Sequence, residues 1–575
     1  MERPFPMVMR TSSLAVRFTA FAASIGLLVS LGACSSDDGR PAENTANGTT
    51  VTAGVADGAV AIFTPSDGIT ISQHTPLNKW TKLVPEITDA LKDEGLPGDH
   101  VDSFASDSLD KQSRAVQDYV VDHLSAHGDD DVDATHTTLL VAPVVSTDKA
   151  TRQYGDYVSQ QLTRAGEDSA SDTDDTDGSD AGADGSANNT DSSANNGDNV
   201  ARSGEDVSDN SADSSEATAN SSDQERDALD EQREAFDRLT SALKLAQESG
   251  MHVVLMANTI EGYSPDAFVE FSDAHAIGKS QADKLVSKLE LSKVSKDNPK
   301  YIEILLPYDT DTDGKSDDTA LSEGFAKEAF AGAWSTLQPY FASGVLRSAS
   351  GILDASTTDD DWRTVAYDAS EDNATAMELD DRLGLSDGTE AKDDKSAHTR
   401  IDGIIAMNDY VASDVVDELN ALGYTGSAAD INPSITISGI VGNITGKKDL
   451  SREAVPDPIK APDETSDEQS EAGRDSQWPL VTGYGAYVGN MPNVVNGKQW
   501  MTGLENRKDL ANDIAQACVR LNTGDSLDGM DSVGSTTIAD KKTPTISEDL
   551  LAVSAYNLKS ELITPGYISM ADAGL

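Results

Sequence analysis

The stretch Ile401–Gly426, IDGIIAMNDYVASDVVDELNALGYTG, sets the reading of the whole chain. It opens on a short apolar run that suits a strand buried on both faces. It then turns at Asn408 and Asp409 and continues as VASDVVDELNALG, a helix that stops at glycine. Asn and Asp both favour the first position of a helix, because a side-chain oxygen there accepts one of the unpaired backbone N–H groups. The same place, just past a strand's carboxyl end, is where open α/β sheets bind ligands. Asn408 and Asp409 are therefore candidates for a cap and for a ligand contact alike.

Working outward, the same alternation recurs. Towards the N-terminus lie the strand runs AVAIFTP, HVDSFAS, TTLLVAPVV, MHVVLMA, YIEILLPY and GVLRSAS, and towards the C-terminus SITISGI. Between them are helical patterns, among them TPLNKWTKLVPEITDALKDEG, LDKQSRAVQDYVVDHL, a helix from about Lys149, DALDEQREAFDRLTSALKLAQESG and LSEGFAKEAFAGAWSTLQPYF. In the first of these Thr75 reads as N-cap, Pro76 as the first helical residue and Gly95 as the stop. Strands alternating with helices predict parallel sheets covered on both faces, and the length fits two α/β lobes better than one.

Two segments break this rhythm. Residues 166–226 carry 17 Asp and Glu against 2 Arg and have no aromatic residue or proline, so they are expected to be disordered. Residues 441–478, with PDPIKAPDETSDEQSEAGRDSQ, read as a second excursion from a sheet. The chain of 575 residues carries a net charge of −57, most of it outside the first insertion, and no basic patch stands out. That excludes nucleic acid, whose phosphates need clustered Lys and Arg.

The first residues run from a basic region (Arg3, Arg10, Arg17) through the apolar FTAFAASIGLLVSL to LGAC, ending at Cys34. That order is a signal peptide, shorter than the roughly 20 apolar residues of a membrane span. The only other cysteine, Cys518, lies in the helical pattern LANDIAQACVRL and reads as a core residue. With only these two cysteines, a disulfide within the mature chain would need Cys34 unmodified.

The LGAC sequence resembles the lipobox of bacterial lipoproteins, which implies lipidation at Cys34. From about Ala59 to Ser569, apart from the insertions, the chain resembles the sugar substrate-binding lipoproteins of bacterial ABC importers, of the type I periplasmic-binding-protein fold. It is most similar to the xylose- and multiple-sugar-binding group. The stretches that carry the likeness are TLQPYFASGVL, the opening DGIIAMNDYVASDVVDELNALGYTG, VTGYGAYVGNMPNVVNGKQWMTGLENRKDLA with LNTGD behind it, and AYNLKSELITPGYI. The resemblance implies two lobes joined by three crossovers, closing on a ligand held between them. Repressors that share the fold carry a helix-turn-helix where this chain has a lipoprotein signal.

A sugar needs polar groups for its hydroxyls and an aromatic face for its ring. The resemblance places Asn408 and Asp409 on the ligand. It puts Trp80 where the family has a tryptophan after arginine, with Lys79 replacing that arginine; Trp80 also falls on the apolar stripe of its helix. Asn258 stands where the family has arginine, and Asp318 where it has one of an asparagine pair, although an acid in so acidic a chain also suits solvated surface. Tyr484 and Gly485 replace a Gln-Asp pair whose carboxylate grips ring hydroxyls; Tyr484 and Tyr487 supply aromatic rings and hydroxyls instead, and Gln499 matches a glutamine near the last crossover. ITISGIVGN offers no better register for that strand. Lys79, Asn258 and Gly485 thus depart from the sugar pattern.

The expected organisation is a signal peptide over 1–34, a tether over 35–58, an N-terminal lobe over 59–258 and a C-terminal lobe over 259–503. A helix over 504–525 returns to the first lobe and a segment over 526–575 to the second. The expected function is capture of a small polar ligand, sugars foremost, outside the cytoplasmic membrane, with presentation to an ABC permease and a lipid anchor at Cys34. The alternative is a diverged paralogue that takes a non-sugar ligand or acts as a sensor or scaffold. No cofactor, metal or catalytic residue is expected: there is no Cys/His cluster with metal spacing, no GxSxG and no phosphate-binding glycine loop.

Overall fold

The computed structural model describes residues 58–66, 75–125, 132–145, 147, 149–165, 214–308, 316–369, 373–385, 398–428 and 475–575. The expected signal peptide, Cys34, the expected strand SITISGI and nearly all of the 441–478 excursion lie outside them.

The first lobe begins with β1 (Ala59–Pro65), α1 (Trp80–Asp93), β2 (Val101–Ser106), α2 (Leu109–Ser125) and β3 (Thr137–Val141). Then come the single-turn helix α3 (Lys149–Arg152), β4 (Gln161–Leu162), α4 (Ser214–Glu248), β5 (His252–Met256), β6 (Thr259–Ile260) and β7 (Ala267–Val269). The second lobe runs through α5 (Ala274–Lys288), β8 (Lys300–Ile304), β9 (Leu306–Tyr308), α6 (Ser316–Ser343), β10 (Leu346–Ser348) and β11 (Ala366–Asp368). It continues with α7 (Ala374–Arg382), β12 (Gly403–Ile405), α8 (Asp409–Ala421), β13 (Leu480–Tyr484), α9 (Met491–Asn496) and β14 (Met501–Leu504). The chain returns as α10 (Arg507–Thr523), β15 (Val533–Ile538) and β16 (Lys541–Ile546), and crosses again to β17 (Leu551–Ser554).

The first sheet has the order β15-β16-β7-β5-β3-β1-β2 and the second β10-β8-β12-β13-β14-β17. Only the β15–β16 and β14–β17 pairs in them are antiparallel. Each lobe is wound in the same sense, its second strand outside the first and the later strands added on the other side. With crossovers at Glu270–Asp273, Glu505–Asn506 and Ser547–Leu550, this is the type I periplasmic-binding-protein fold. Apolar strand residues alternate between two cores. Val60 and Ile62 face α1 and α10, while Ala61 and Phe63 face α2 and α4; in the second sheet Ile405 and Ile404 divide in the same way. Cys518 is buried in α10, and burial pushes its thiol far up, so it is core rather than a reactive group.

Four boundaries differ from the sequence reading. The N-terminal sheet extends through β7, so the first crossover follows Val269 instead of Asn258; a three-residue strand is too short for its apolar run to stand out. The β15–β16 hairpin joins the N-terminal sheet, leaving only the chain from β17 onward for the second lobe. Its Thr- and Lys-rich strands gave no such signal, and its turn is made by Ala539 and Asp540, both with positive φ. Helix α1 begins at Trp80 rather than at Pro76, because the backbone of Leu77 and Asn78 is used elsewhere, as shown below. Helix α4 begins at Ser214, so the last part of the stretch read as disordered is helical; its remainder lies outside the described residues.

Candidate functional site

The carboxyl ends of the two sheets face one another, and the chain connections that follow β1, β7, β13 and β14 supply contacts between the lobes. Leu77, after β1, donates its N–H to the carbonyl of Gly485, after β13, at 2.8 Å. Asn78 Nδ2 donates to the Tyr484 hydroxyl at 3.1 Å, and that hydroxyl donates to Glu505 Oε1 at 3.0 Å. Glu505, in the second crossover, also accepts the N–H of Ser272 in the first at 3.0 Å. Burial raises both the Tyr484 and the Glu505 pKa.

Asn258 and Asn408 each follow a residue in left-handed backbone, Ala257 at φ 59° and Met407 at φ 58°. In both places the asparagine N–H closes a three-residue turn onto the carbonyl two residues back, at 2.6 Å. Non-glycine residues rarely adopt this geometry, and such strain collects at functional positions. The side chains it aims are engaged by the protein at both the oxygen and the nitrogen. Asn408 Oδ1 accepts the Val411 N–H at 2.9 Å, a helix cap, while Nδ2 donates to Gln153 Oε1 at 3.0 Å. Asn258 Oδ1 accepts the Gln160 N–H at 3.0 Å and Nδ2 donates to the Pro143 carbonyl at 2.9 Å.

Asp409 does not reach the cleft. Its carboxylate lies wholly inside the second lobe, where it accepts from Gln499 Nε2 at 2.6 Å, the Thr502 hydroxyl at 2.8 Å and the Tyr487 N–H at 2.9 Å. Burial pushes its pKa up to about 6 against the pull of these donors. Gln499 is thus structural. Trp80 packs in the first lobe's core, its ring 5.0 Å from that of Tyr157 and 5.9 Å from that of Phe271. Lys79 pairs with Asp156 at 2.7 Å. Gly485, at φ 111°, lies so close to Tyr487 that a Cβ would sit 2.9 Å from its ring. Asp318 falls in the first turns of α6, and its side chain lies outside the described residues.

Asn408 and Asp409 are 0 % exposed, Trp80 and Tyr484 2 % and Asn258 3 %. Walls of a sugar-sized cavity would carry accessible surface, so these five positions close on protein atoms. What fills the space is the chain after β3. Tyr154 lies in the second lobe's core, its ring 4.5 Å from that of Phe325, whereas Tyr157 lies in the first lobe's core. The Tyr487 hydroxyl donates to the Gln153 carbonyl at 2.7 Å. The sequence reading missed Gln153, Tyr154, Asp156 and Tyr157 because it read the segment as a helix. Two tyrosines around Gly-Asp in a polar stretch just past a strand were the available signal.

The fold and the facing strand ends define an architecture of two lobes linked by three crossovers. No protein-family model and no curated protein sequence matches the chain. Among solved structures, it is similar to an ABC transporter solute-binding protein from Clostridium phytofermentans with bound β-D-glucose, at 16 % identity over 90 % of this chain and 99 % of that one, with a TM-score of 0.42. A carbohydrate transporter solute-binding protein from Chloroflexus aurantiacus, in complex with D-glucose, aligns at 15 % identity over 90 % and 98 %, with a TM-score of 0.43. A periplasmic ribose ABC transporter structure from Conexibacter woesei aligns at 12 % over 88 % and 95 %, with a TM-score of 0.40. At these scores the alignments carry no weight for the ligand of this chain.

Proposed function

We propose that this chain is a lipid-anchored, extracytoplasmic solute-binding protein, a binder and not an enzyme, that captures a small polar solute between its lobes and presents it to an ABC permease. The observation that carries this reading is the pair of similarly wound lobes, joined by three crossovers, with their strand ends facing. Ligand affinity in such an architecture comes from closure, which desolvates the solute and completes its hydrogen bonds. Cys34 is the anchor in this reading, so Cys34→Ser should release the chain from membranes or leave its signal peptide uncleaved. A thermal-shift screen of the purified mature chain against sugars, polyols and amino acids tests the binding role. A true solute at 100 times its dissociation constant should stabilise by about 2.7 kcal/mol.

The packed cleft favours a second reading, in which the chain is a diverged paralogue that takes a non-sugar ligand or serves as a sensor or scaffold. Asn258, Asn408, Asp409, Tyr484 and Lys79 are each engaged by the protein itself, and Trp80 is packed in the core with its indole N–H buried and unpartnered. A screen in which no sugar shifts the melting temperature selects this reading over the first.

A further inference from the structure

We propose that Arg152–Val158 is an internal peptide ligand of the interlobe cleft, holding the lobes shut without solute, and that the cleft takes peptides bearing an aromatic residue two places before a carboxylate. This rests on the reading of the cleft as a ligand site and names its ligand class.

The segment meets both walls with the groups that peptides have and sugars lack. Its main chain is held at the Gln153 carbonyl by the Tyr487 hydroxyl at 2.7 Å, and at the Asp156 N–H by the Asn78 carbonyl at 2.9 Å. Its Gln153 amide oxygen accepts from Asn408. The Asp156 carboxylate pairs with Lys79 Nζ at 2.7 Å and accepts the Trp80 N–H at 3.3 Å, supplying α1 with the cap that the Lys79 side chain does not give. Lys79 is the residue that replaces the family's arginine, and a point charge at a helix N-terminus suits a carboxylate.

Aromatic anchoring divides between the lobes. Tyr154 lies against Phe325 and, with ring centroids 6.3 Å apart, near Tyr484; Tyr157 sits between Trp80 and Phe271 and donates its hydroxyl to the Lys79 carbonyl. Between the two tyrosines, Gly155 has φ 116°, and a Cβ there would lie 2.6 Å from the Asn78 Cβ, so only glycine permits the approach. Both strained turns converge on this part of the chain: Asn408 holds Gln153, and Asn258 holds Gln160 beyond the segment's end. A segment that only filled core would not need two asparagines aimed by strained turns at Ala257 and Met407, and a helix that it caps, to receive it. One that acts as ligand uses the positions where the fold presents its ligand contacts.

The test compares the full chain with a Gln153→Ala/Asp156→Ala variant by hydrogen exchange and thermal melting, using the synthetic peptide TRQYGDYV, residues 151–158, as the probe. In the variant, amides of the crossovers and around Tyr487 should exchange about tenfold faster, the change expected on losing one charged hydrogen bond. Added peptide should restore protection and raise the melting temperature, whereas TRQYGNYV should not. The parent should ignore the peptide, because its tethered copy is present at an effective concentration in the millimolar range. If the double variant does not fold, Asp156→Asn replaces it. A folded variant that exchanges like the parent, or that opens and ignores the peptide, overturns the proposal. Should the opened variant bind a sugar and not the peptide, the ligand class falls and the solute-binding role stands. If it binds neither, both fall.

Discussion

Asn408 shows how one residue type serves two roles. Its oxygen caps α8 and its amide reaches Gln153 in the other lobe. Asn408→Ala is therefore expected to lower unfolding stability by about 1–2 kcal/mol with no ligand present, measurable by denaturant titration. Gly485 tests the absent carboxylate. With φ at 111° and the Tyr487 ring against it, Gly485→Asp should cost about 1–3 kcal/mol and give no gain in sugar binding by calorimetry. Asp409 supplies the pH dependence. Its folded-state pKa of about 6 lies above the ordinary carboxylate value, so the folded chain holds a proton that the unfolded chain gives up. Its contribution to stability falls as pH rises from roughly 4 to 6 and levels off above that. Asp409→Asn removes this slope. Because donors placed around a carboxylate then face an amide, it also destabilises, by roughly 1–3 kcal/mol in acid, and since only the parent loses stability between about pH 4 and 6, the deficit shrinks towards neutral pH. The sequence showed that these residues sit at strand ends. It could not show their partners, since residue type does not tell whether a polar group faces solvent, ligand or the next lobe.

At the scale of elements, apolar runs located most strands and helices, because burial on both faces leaves an unbroken run that no loop imitates. The β15–β16 hairpin, the three-residue β7 and the chain between β3 and α4 escaped for the opposite reason: they are short or polar and take their shape from what they pack against. One close contact was not legible either. Helices α5 and α6 touch at glycine, where a Cβ on Gly278 would lie 1.9 Å from the Ala329 carbonyl oxygen and one on Gly332 1.9 Å from that of His275. Helix α5 also carries Gln281, whose amide donates to the Met407 carbonyl at 2.7 Å and accepts from Thr482 at 2.7 Å, bracing the turn that aims Asn408. Gly332→Ala must push the helices apart. It should destabilise by about 1–3 kcal/mol or more, and hydrogen exchange at Asn408 should quicken with it. Loss of stability without that quickening would show that α5 does not brace the turn.

For the whole molecule, the question is whether two lobes behave as one cooperative unit. Three crossovers join them, and at the first two Ser272, Glu505, Tyr484 and Asn78 form one hydrogen-bonded chain that runs from hinge to cleft. Glu505 N–H also donates to Asn78 Oδ1 at 3.3 Å, so this asparagine is held from both sides. Multidomain chains often unfold in steps, but here the link is buried, and separating the lobes would strand its polar groups. The parent should therefore show a single calorimetric transition. Tyr484→Phe removes the donor to Glu505 and the acceptor of Asn78 while keeping the ring. The expected loss is about 1–3 kcal/mol, with the transition broadening or splitting. The sign with pH follows from Glu505, whose carboxyl burial already raises. Losing the tyrosine donor raises it further, so the variant's deficit is smallest in acid, where Glu505 is protonated in both chains, and grows towards neutral pH. A deficit that does not change with pH would mean that Glu505 is not the group Tyr484 serves, and two transitions in the parent would mean that the lobes were never coupled through this chain.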